Sequence, residues 1–194
     1  DYITERIIKG ERPDQAVLRL HEGAIASATN EINVIVAKGD QKLAALGIGV
    51  SKRGHLIPRV EDIPELDALY NALHNPSKVA AGQIQVPERL QKVYNELRDL
   101  TNWEEAARLD FDPAFATIDD YFYRGWKPPQ SALDAVAGGQ PLEKIPAFMK
   151  PRANATYLEM RELGFEPSFW NPYEQARASR MMGIKYREQM NLID

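Results

Sequence analysis

Apolar residues recur along this chain mostly at helical spacing, with no run of alternating strand residues. From Pro13, which suits a first helical turn, the rows Leu18, Ile25, Ile32 and Ala28, Ile35 predict a helix to about Lys38. Gly39-Asp40 is expected to interrupt it, and a short turn over residues 41–46 to stop at Gly47 and Gly49. Residues 51–62, containing Ser51-Lys52-Arg53-Gly54-His55, read as a loop. Pro64 opens a helix with Leu66, Leu69, Tyr70 and Leu73 on one face, ended by Asn75-Pro76. A short helix follows near Lys78 and stops at Gly82. Pro87 opens another, with the stripe Leu90, Val93, Tyr94, Leu97 and Leu100. Thr101-Asn102-Trp103-Glu104 has the form of a capping box, which predicts a fresh helix start, and Asp112-Pro113 a break.

The pattern changes beyond Asp119. Tyr121-Phe122-Tyr123-Arg124-Gly125-Trp126-Lys127-Pro128-Pro129 packs four rings, two cations, a glycine and two prolines into nine positions. Pro128, Pro129, Pro141, Pro146 and Pro151, with Gly138-Gly139 among them, predict an extended, turn-rich arm. Helical spacing returns at residues 155–163 and stops at Gly164. Asn171 then caps, and Pro172 opens, a final long helix with Tyr173, Ala176, the Arg177 stem, Met181, Ile184 and Tyr186 as its stripe. The expectation is an all-α fold: an irregular helical domain, an extended aromatic and Pro/Gly-rich arm, and a long C-terminal helix. Its segments are residues 1–50 (helical), 51–120 (acidic helical body), 121–154 (arm) and 155–194 (C-terminal helices).

Composition narrows the classes. Of 194 residues, 44% are hydrophobic and 27% charged, the balance of a folded chain. The net charge of -4 argues against nucleic acid or an anionic membrane as dominant partner. With no cysteine, disulfide and thiol chemistry are excluded. No apolar run approaches a bilayer span and no signal peptide is visible, so no membrane span is expected. A start at Asp1 suggests a segment of a longer polypeptide; a processed product would look the same. Between Glu88 and Asp120, nine acids (Glu88, Glu96, Asp99, Glu104, Glu105, Asp110, Asp112, Asp119, Asp120) face four bases (Arg89, Lys92, Arg98, Arg108). Lys127, Lys144, Lys150 and Arg152 follow on the arm. This pairs an acidic body with a basic arm, although two solvated faces are the simpler reading.

Motifs for chemistry are weak. His21, His55 and His74 lack a second ligand at metal spacing and read as structural or surface residues. Asp110-Phe111-Asp112 opens like a calcium loop, but Ala114, Phe115 and Tyr121 occupy the later ligand and glycine positions. Gly47-Ile48-Gly49-Val50-Ser51-Lys52 lacks the Gly-Lys-Ser/Thr order of a phosphate loop. No serine sits in a Gly-x-Ser-x-Gly elbow, and the Asn154-Ala155-Thr156 sequon stands without other signs of secretion. Glu104 and Glu105 diverge by about 100° on a helix, so a paired-carboxylate site needs a partner such as Asp119. No catalytic residue, metal or cofactor is assigned.

The aromatic arm has two readings. Tyr121, Tyr123, Arg124, Trp126 and Lys127, with Lys150 and Arg152 further on, form a candidate interaction surface able to stack on bases or sugars. Alternatively the rings anchor an irregular segment, which the large area each buries favours.

The order of these pieces resembles a known series. Asp119-Asp120-Tyr121-Phe122-Tyr123-Arg124-Gly125-Trp126-Lys127-Pro128 comes first, then Phe148-Met149-Lys150-Pro151-Arg152. Gly164-Phe165-Glu166-Pro167 and Asn171-Pro172 before a long helix complete it. The series looks like a module of the large polyvalent proteins of bacteriophages and mobile elements. The resemblance covers roughly residues 65–190 and is strongest after Asp119. Arg124-Gly125 inside the corner and the long Pro/Gly insert before Phe148 are variable features of it. It implies a non-catalytic structural or assembly segment of a giant virion-internal protein that is ejected into the host. Its partners would be other virion proteins or further copies, and its location the virion, or the host cytoplasm after infection. The alternative is a nucleic-acid-associated module of a polyvalent antirestriction or DNA-handling protein. No active site transfers with the resemblance.

Overall fold

A computed structural model describes residues 2–52, 55–111, 122, 125–137 and 156–191. The chain is mostly helical, as its spacing predicts. In order come α1 (Tyr2–Ile8), α2 (Pro13–Ala45), β1 (Val50–Lys52), β2 (His55–Ile57), α3 (Ile63–Leu73), α4 (Pro76–Ala80) and α5 (Gln91–Phe111). They are followed by β3 (Trp126–Lys127), α6 (Gln130–Ala137), α7 (Tyr157–Glu162), β4 (Glu166–Pro167) and α8 (Pro172–Asn191).

α8 packs against both α2 and α5. It runs antiparallel to α2: Gly39 faces the Tyr173 ring, while Thr29 reaches Met181 ten residues earlier. All six residues from Asn171 to Ala176 are buried. The Asn171 side chain accepts from the Tyr173 amide (2.9 Å), as the Asn-Pro start predicts. One core joins Val36, Leu43 and Ile48 to Leu66, Leu69, Tyr70 and Leu73 of α3 and to Leu90, Val93 and Leu97 beside it. Phe122, Tyr157 and Tyr173 complete it from the C-terminal half.

Several expectations are corrected. α2 does not stop at Gly39-Asp40 but continues to Ala45, because that face is buried under α8 and needs a residue without a side chain. Leu18, placed on the α2 core row, is exposed, whereas Ile32 on the same row is buried. Thr101 starts no helix. α5 passes straight through it, and its hydroxyl donates to the Leu97 carbonyl one turn back (2.8 Å). Residues 51–62 are not only loop: β1 and β2 pair antiparallel with Val50 opposite Ile57. Strands of three residues carry too little periodicity to read, and burial of Leu56 over the core decides them. Inside the stretch expected to be extended, Gln130–Ala137 is helical. Pro128 and Pro129 precede rather than interrupt it, and Gln130 bonds Asp134 one turn on (2.8 Å).

The hairpin's base is fixed by one buried carboxylate. Asp62 accepts from the Gly49 amide (2.8 Å), the Arg59 amide (3.1 Å) and Arg59 Nε (3.0 Å). Gly49 has φ +64°, and a Cβ there would lie 2.7 Å from the Ile57 carbonyl. Arg59 and Arg89, both paired with this acidic site, also donate to the Gly47 and Leu46 carbonyls that close α2. The Arg59 bond, joined by the Gly49 and Arg59 amides, holds the Asp62 carboxyl below its ordinary range against the opposing effect of burial. A lowered folded-state value means stability present above the ordinary carboxylate pKa and lost as pH falls through the folded one. Asp62→Ala is therefore expected to cost about 1–3 kcal/mol at neutral pH, because it orphans buried donors. Urea melts should show the gap between the two proteins shrinking below about pH 4. A gap independent of pH counts against the assignment.

Candidate interaction surface

Tyr70 of α3 and His74, the residue that ends the helix, lie one turn apart, both buried. Tyr157, at the start of α7, lies parallel to both, at 5.5 Å from Tyr70 and 5.6 Å from His74. Phe122 closes this group edge-on, 5.3 Å from His74 and 6.4 Å from Tyr70. Trp126 tilts against Tyr157 at 5.2 Å. These separations are those of favourable aromatic pairs, worth about 0.5–1.5 kcal/mol each beyond burial.

Thr156 and Glu159 cap α7 reciprocally, which starts the helix where Tyr157 must point inward. The Tyr157 hydroxyl donates to Asp67 (2.5 Å), which also receives Arg161 Nε (2.9 Å). Arg161 in turn donates to the Phe165 carbonyl (2.7 Å) and lies over the Trp170 ring at 5.0 Å. Tyr70 donates to the Phe169 carbonyl (2.6 Å). Burial, then the nearby acids, push the Tyr70 and Tyr157 hydroxyls well above the ordinary tyrosine value, so both remain donors. β3 and β4 pair Trp126 with Pro167, and the Gly125 carbonyl accepts from Ser168 N (2.8 Å) and Gln175 Nε2 (3.2 Å). Gly125 has no room for a side chain: a Cβ would sit 2.9 Å from the Ser168 hydroxyl.

Of the residues singled out from the sequence, Trp126 is half-buried against Tyr157 and Lys127 beside it is exposed. The structure brings these two together at the edge of the ring cluster. Tyr121, Tyr123, Arg124, Lys150 and Arg152 lie outside the described residues. So do the side chains of Glu104 and Glu105, together with Asp112, Asp119, Asp120 and the sequon asparagine. Among the described residues no group of three or more histidines and acids is placed to hold a metal ion. No helix among them is long and apolar enough to cross a membrane.

Two polar features escaped sequence reasoning. The first joins α2, the β1–β2 hairpin and the start of α8: the Asn171 amide donates to Asp40 (2.5 Å), and His55 Nδ1 sits 3.1 Å from Glu174. Burial raises the Asp40 carboxyl above its ordinary value, against the lowering effects of the Asn171 bond and His55. Here the sign is opposite to that of Asp62. The folded chain binds the proton more tightly, so Asp40 removes stability as pH rises from about 4 through its folded value. Asp40→Asn, which keeps an acceptor for Asn171, is expected to raise Tm at pH 7 and to match the parent chain below about pH 4. Calorimetry across that range checks it, and a lower Tm at pH 7 rejects it. The pairing of Asp40 with Asn171 spans 131 positions, beyond the reach of any local motif.

The second feature is a groove of about 410 Å³ between α2 and α5 with α8 as its floor, lined by Lys38, Lys42, Glu96, Asp99, Tyr173 and Arg180. Its charges are largely used within the chain. Glu96 takes both Lys42 and the Tyr173 hydroxyl (2.7 Å), and Arg180 lies 3.5 Å from Glu31. Burial opposes ionisation of Glu96, but the bonds from Lys42 and Tyr173 outweigh it and leave the carboxyl below its ordinary value.

No protein-family model matches the chain, and no curated protein or solved structure matches it either.

Proposed function

We propose that this chain is a non-catalytic assembly segment of a large virion-internal phage protein of the polyvalent kind, working through protein–protein contact. The observation that carries the reading is the use to which its polar and aromatic groups are put. Asp62, Asp67, Asp40 and Glu96 each fasten one element to another, and Phe122, Trp126 and Tyr157 tie the corner to α3. The ordered motif series from Asp119 to Pro172 supports the class of parent protein. In this reading the partners are further copies or other virion proteins, and the location is the virion or, after infection, the host cytoplasm.

Light scattering across a concentration series tests it. Association of the chain with itself, or with a co-expressed virion protein, is expected; a strict monomer that binds neither rejects the reading. A second reading rests on exposed Lys127 beside half-buried Trp126, an arrangement suited to single-stranded nucleic acid. It requires tryptophan quenching by an oligonucleotide that weakens as salt rises. Absence of quenching at low salt removes it.

A further inference from the structure

The groove between α2 and α5 has walls of opposite charge. Ile35, Lys38 and Lys42 follow one another at helical spacing on α2, so a single stripe presents all three to it. Glu96 and Asp99, one turn apart on α5, present two carboxylates from the other side. Arg180 of α8 adds a further cation, which also reaches Glu31 (3.5 Å). With Glu31 counted, the cations Lys38, Lys42 and Arg180 are matched by Glu31, Glu96 and Asp99. The groove is neutral as a whole and dipolar across its width.

Part of this polarity is not used inside the chain. Lys42 and the Tyr173 hydroxyl both donate to the same oxygen of Glu96, Oε2. Among the described residues nothing donates to its Oε1, although the side chain is only 30% exposed. Lys38 and Asp99, both exposed, make no hydrogen bond or ion pair among the described residues. The open acceptors therefore stand on α5 and the open donor on α2. Ile35 and Leu100, partly buried against the core, supply apolar surface in the same groove.

This pattern selects among ligands. A simple anion placed here meets the α5 carboxylates, and a simple cation meets the α2 lysines; like charges brought together are costly. A nucleic-acid strand meets the same obstacle as the anion. A molecule that carries both charges avoids both conflicts. The groove volume of about 410 Å³ falls within the usual range of small-ligand sites, about 300–1,000 Å³.

We propose that this groove is a binding site for a small zwitterion, an α-amino acid with an aliphatic side chain. Its ammonium donates to Glu96 Oε1 and Asp99, its carboxylate accepts from Lys38, and its side chain lies on Ile35 and Leu100. This goes beyond the assembly reading and does not depend on it.

Titration of the isotope-labelled 194-residue chain with leucine, followed by amide chemical shifts, tests it. Saturable shifts are expected in the groove-lining turns of α2, α5 and α8, with a Kd of about 1 mM. Isocaproate, which lacks the ammonium, and isopentylamine, which lacks the carboxylate, are each expected to bind about tenfold more weakly or worse. Lys38→Gln and Asp99→Asn change exposed positions, so each is expected to keep its circular dichroism and to weaken leucine binding about tenfold. The inference is overturned by the absence of a saturable shift up to about 50 mM leucine, or by saturation only outside the groove. It is equally overturned by a single-charge analogue that binds as well as leucine, or by wild-type affinity in either variant. Each of these outcomes leaves the assembly reading standing, since light scattering decides that separately.

Discussion

Phe122→Ala is expected to lower the stability of the chain by about 3–5 kcal/mol, the usual loss when a buried aromatic ring is truncated. Phe122 is 2% exposed and meets His74 and Tyr70 edge-on, so its removal opens a void against two buried rings. Trp126→Ala is expected to cost less, because that ring is only partly buried. Lys127→Ala stays within about 0.5 kcal/mol of wild type. Urea unfolding monitored by far-UV circular dichroism measures the series. A Phe122→Ala protein as stable as wild type would remove the corner from the core and return it to the status of a free surface. The ranking Phe122, Trp126, Lys127 separates what holds the fold from what is left for a partner.

The second large effect is expected at Gly39. A Cβ at this position would lie 2.4 Å from both Cγ and Cδ2 of Tyr173, inside any real contact distance. In an isolated helix glycine-to-alanine is a gain of about 1 kcal/mol. Here the overlap outweighs it, since overpacking of this kind costs about 1–3 kcal/mol or more. Gly39→Ala is therefore expected to destabilise, and by more than any alanine placed on the exposed face of α2. Tyr173→Ala in the same chain relieves the clash, so the double variant is less unstable than the two single losses added together. Strict additivity in chemical denaturation would show that α2 and α8 do not meet at this point. The pair also governs the groove, because Tyr173 holds Glu96 from the same position.

Much of the helical framework was legible locally. Pro13, Pro64 and Pro172 mark real starts, each in the first turn of its helix. Gly82 and Gly164, with φ of 71° and 82°, stand where α4 and α7 stop. Leu66, Leu69, Tyr70 and Leu73 are buried as their spacing predicts, as are Leu90, Val93, Tyr94 and Leu97. These signals work because the helix period and the steric limits of proline and glycine are properties of a few neighbouring residues.

The candidate surface was only partly legible. A dense run of rings and cations announces an unusual segment, but it does not say which way each ring points. Phe122 and Trp126 turn toward α3 because Tyr70, His74 and Tyr157 are there to receive them, across sequence gaps of 31 to 52 positions. Thr101 illustrates the same limit: its capping sequence was overridden by a stripe that runs on through Leu97 and Leu100 to pack on neighbouring elements.

The sequence by itself determined the helical class, most helix starts and stops, and the apolar faces of α3 and α5, all of which follow from short-range sterics and periodicity. The tertiary structure alone decided that α2 runs through Gly39, that two three-residue strands form after it, and that Asp40 and Asp62 are buried with opposite effects on stability. Those outcomes depend on partners brought close by folding: Tyr173, Asn171, Arg59 and the ring cluster on α3. Burial and hydrogen bonding between distant residues, rather than local propensity, set their energies.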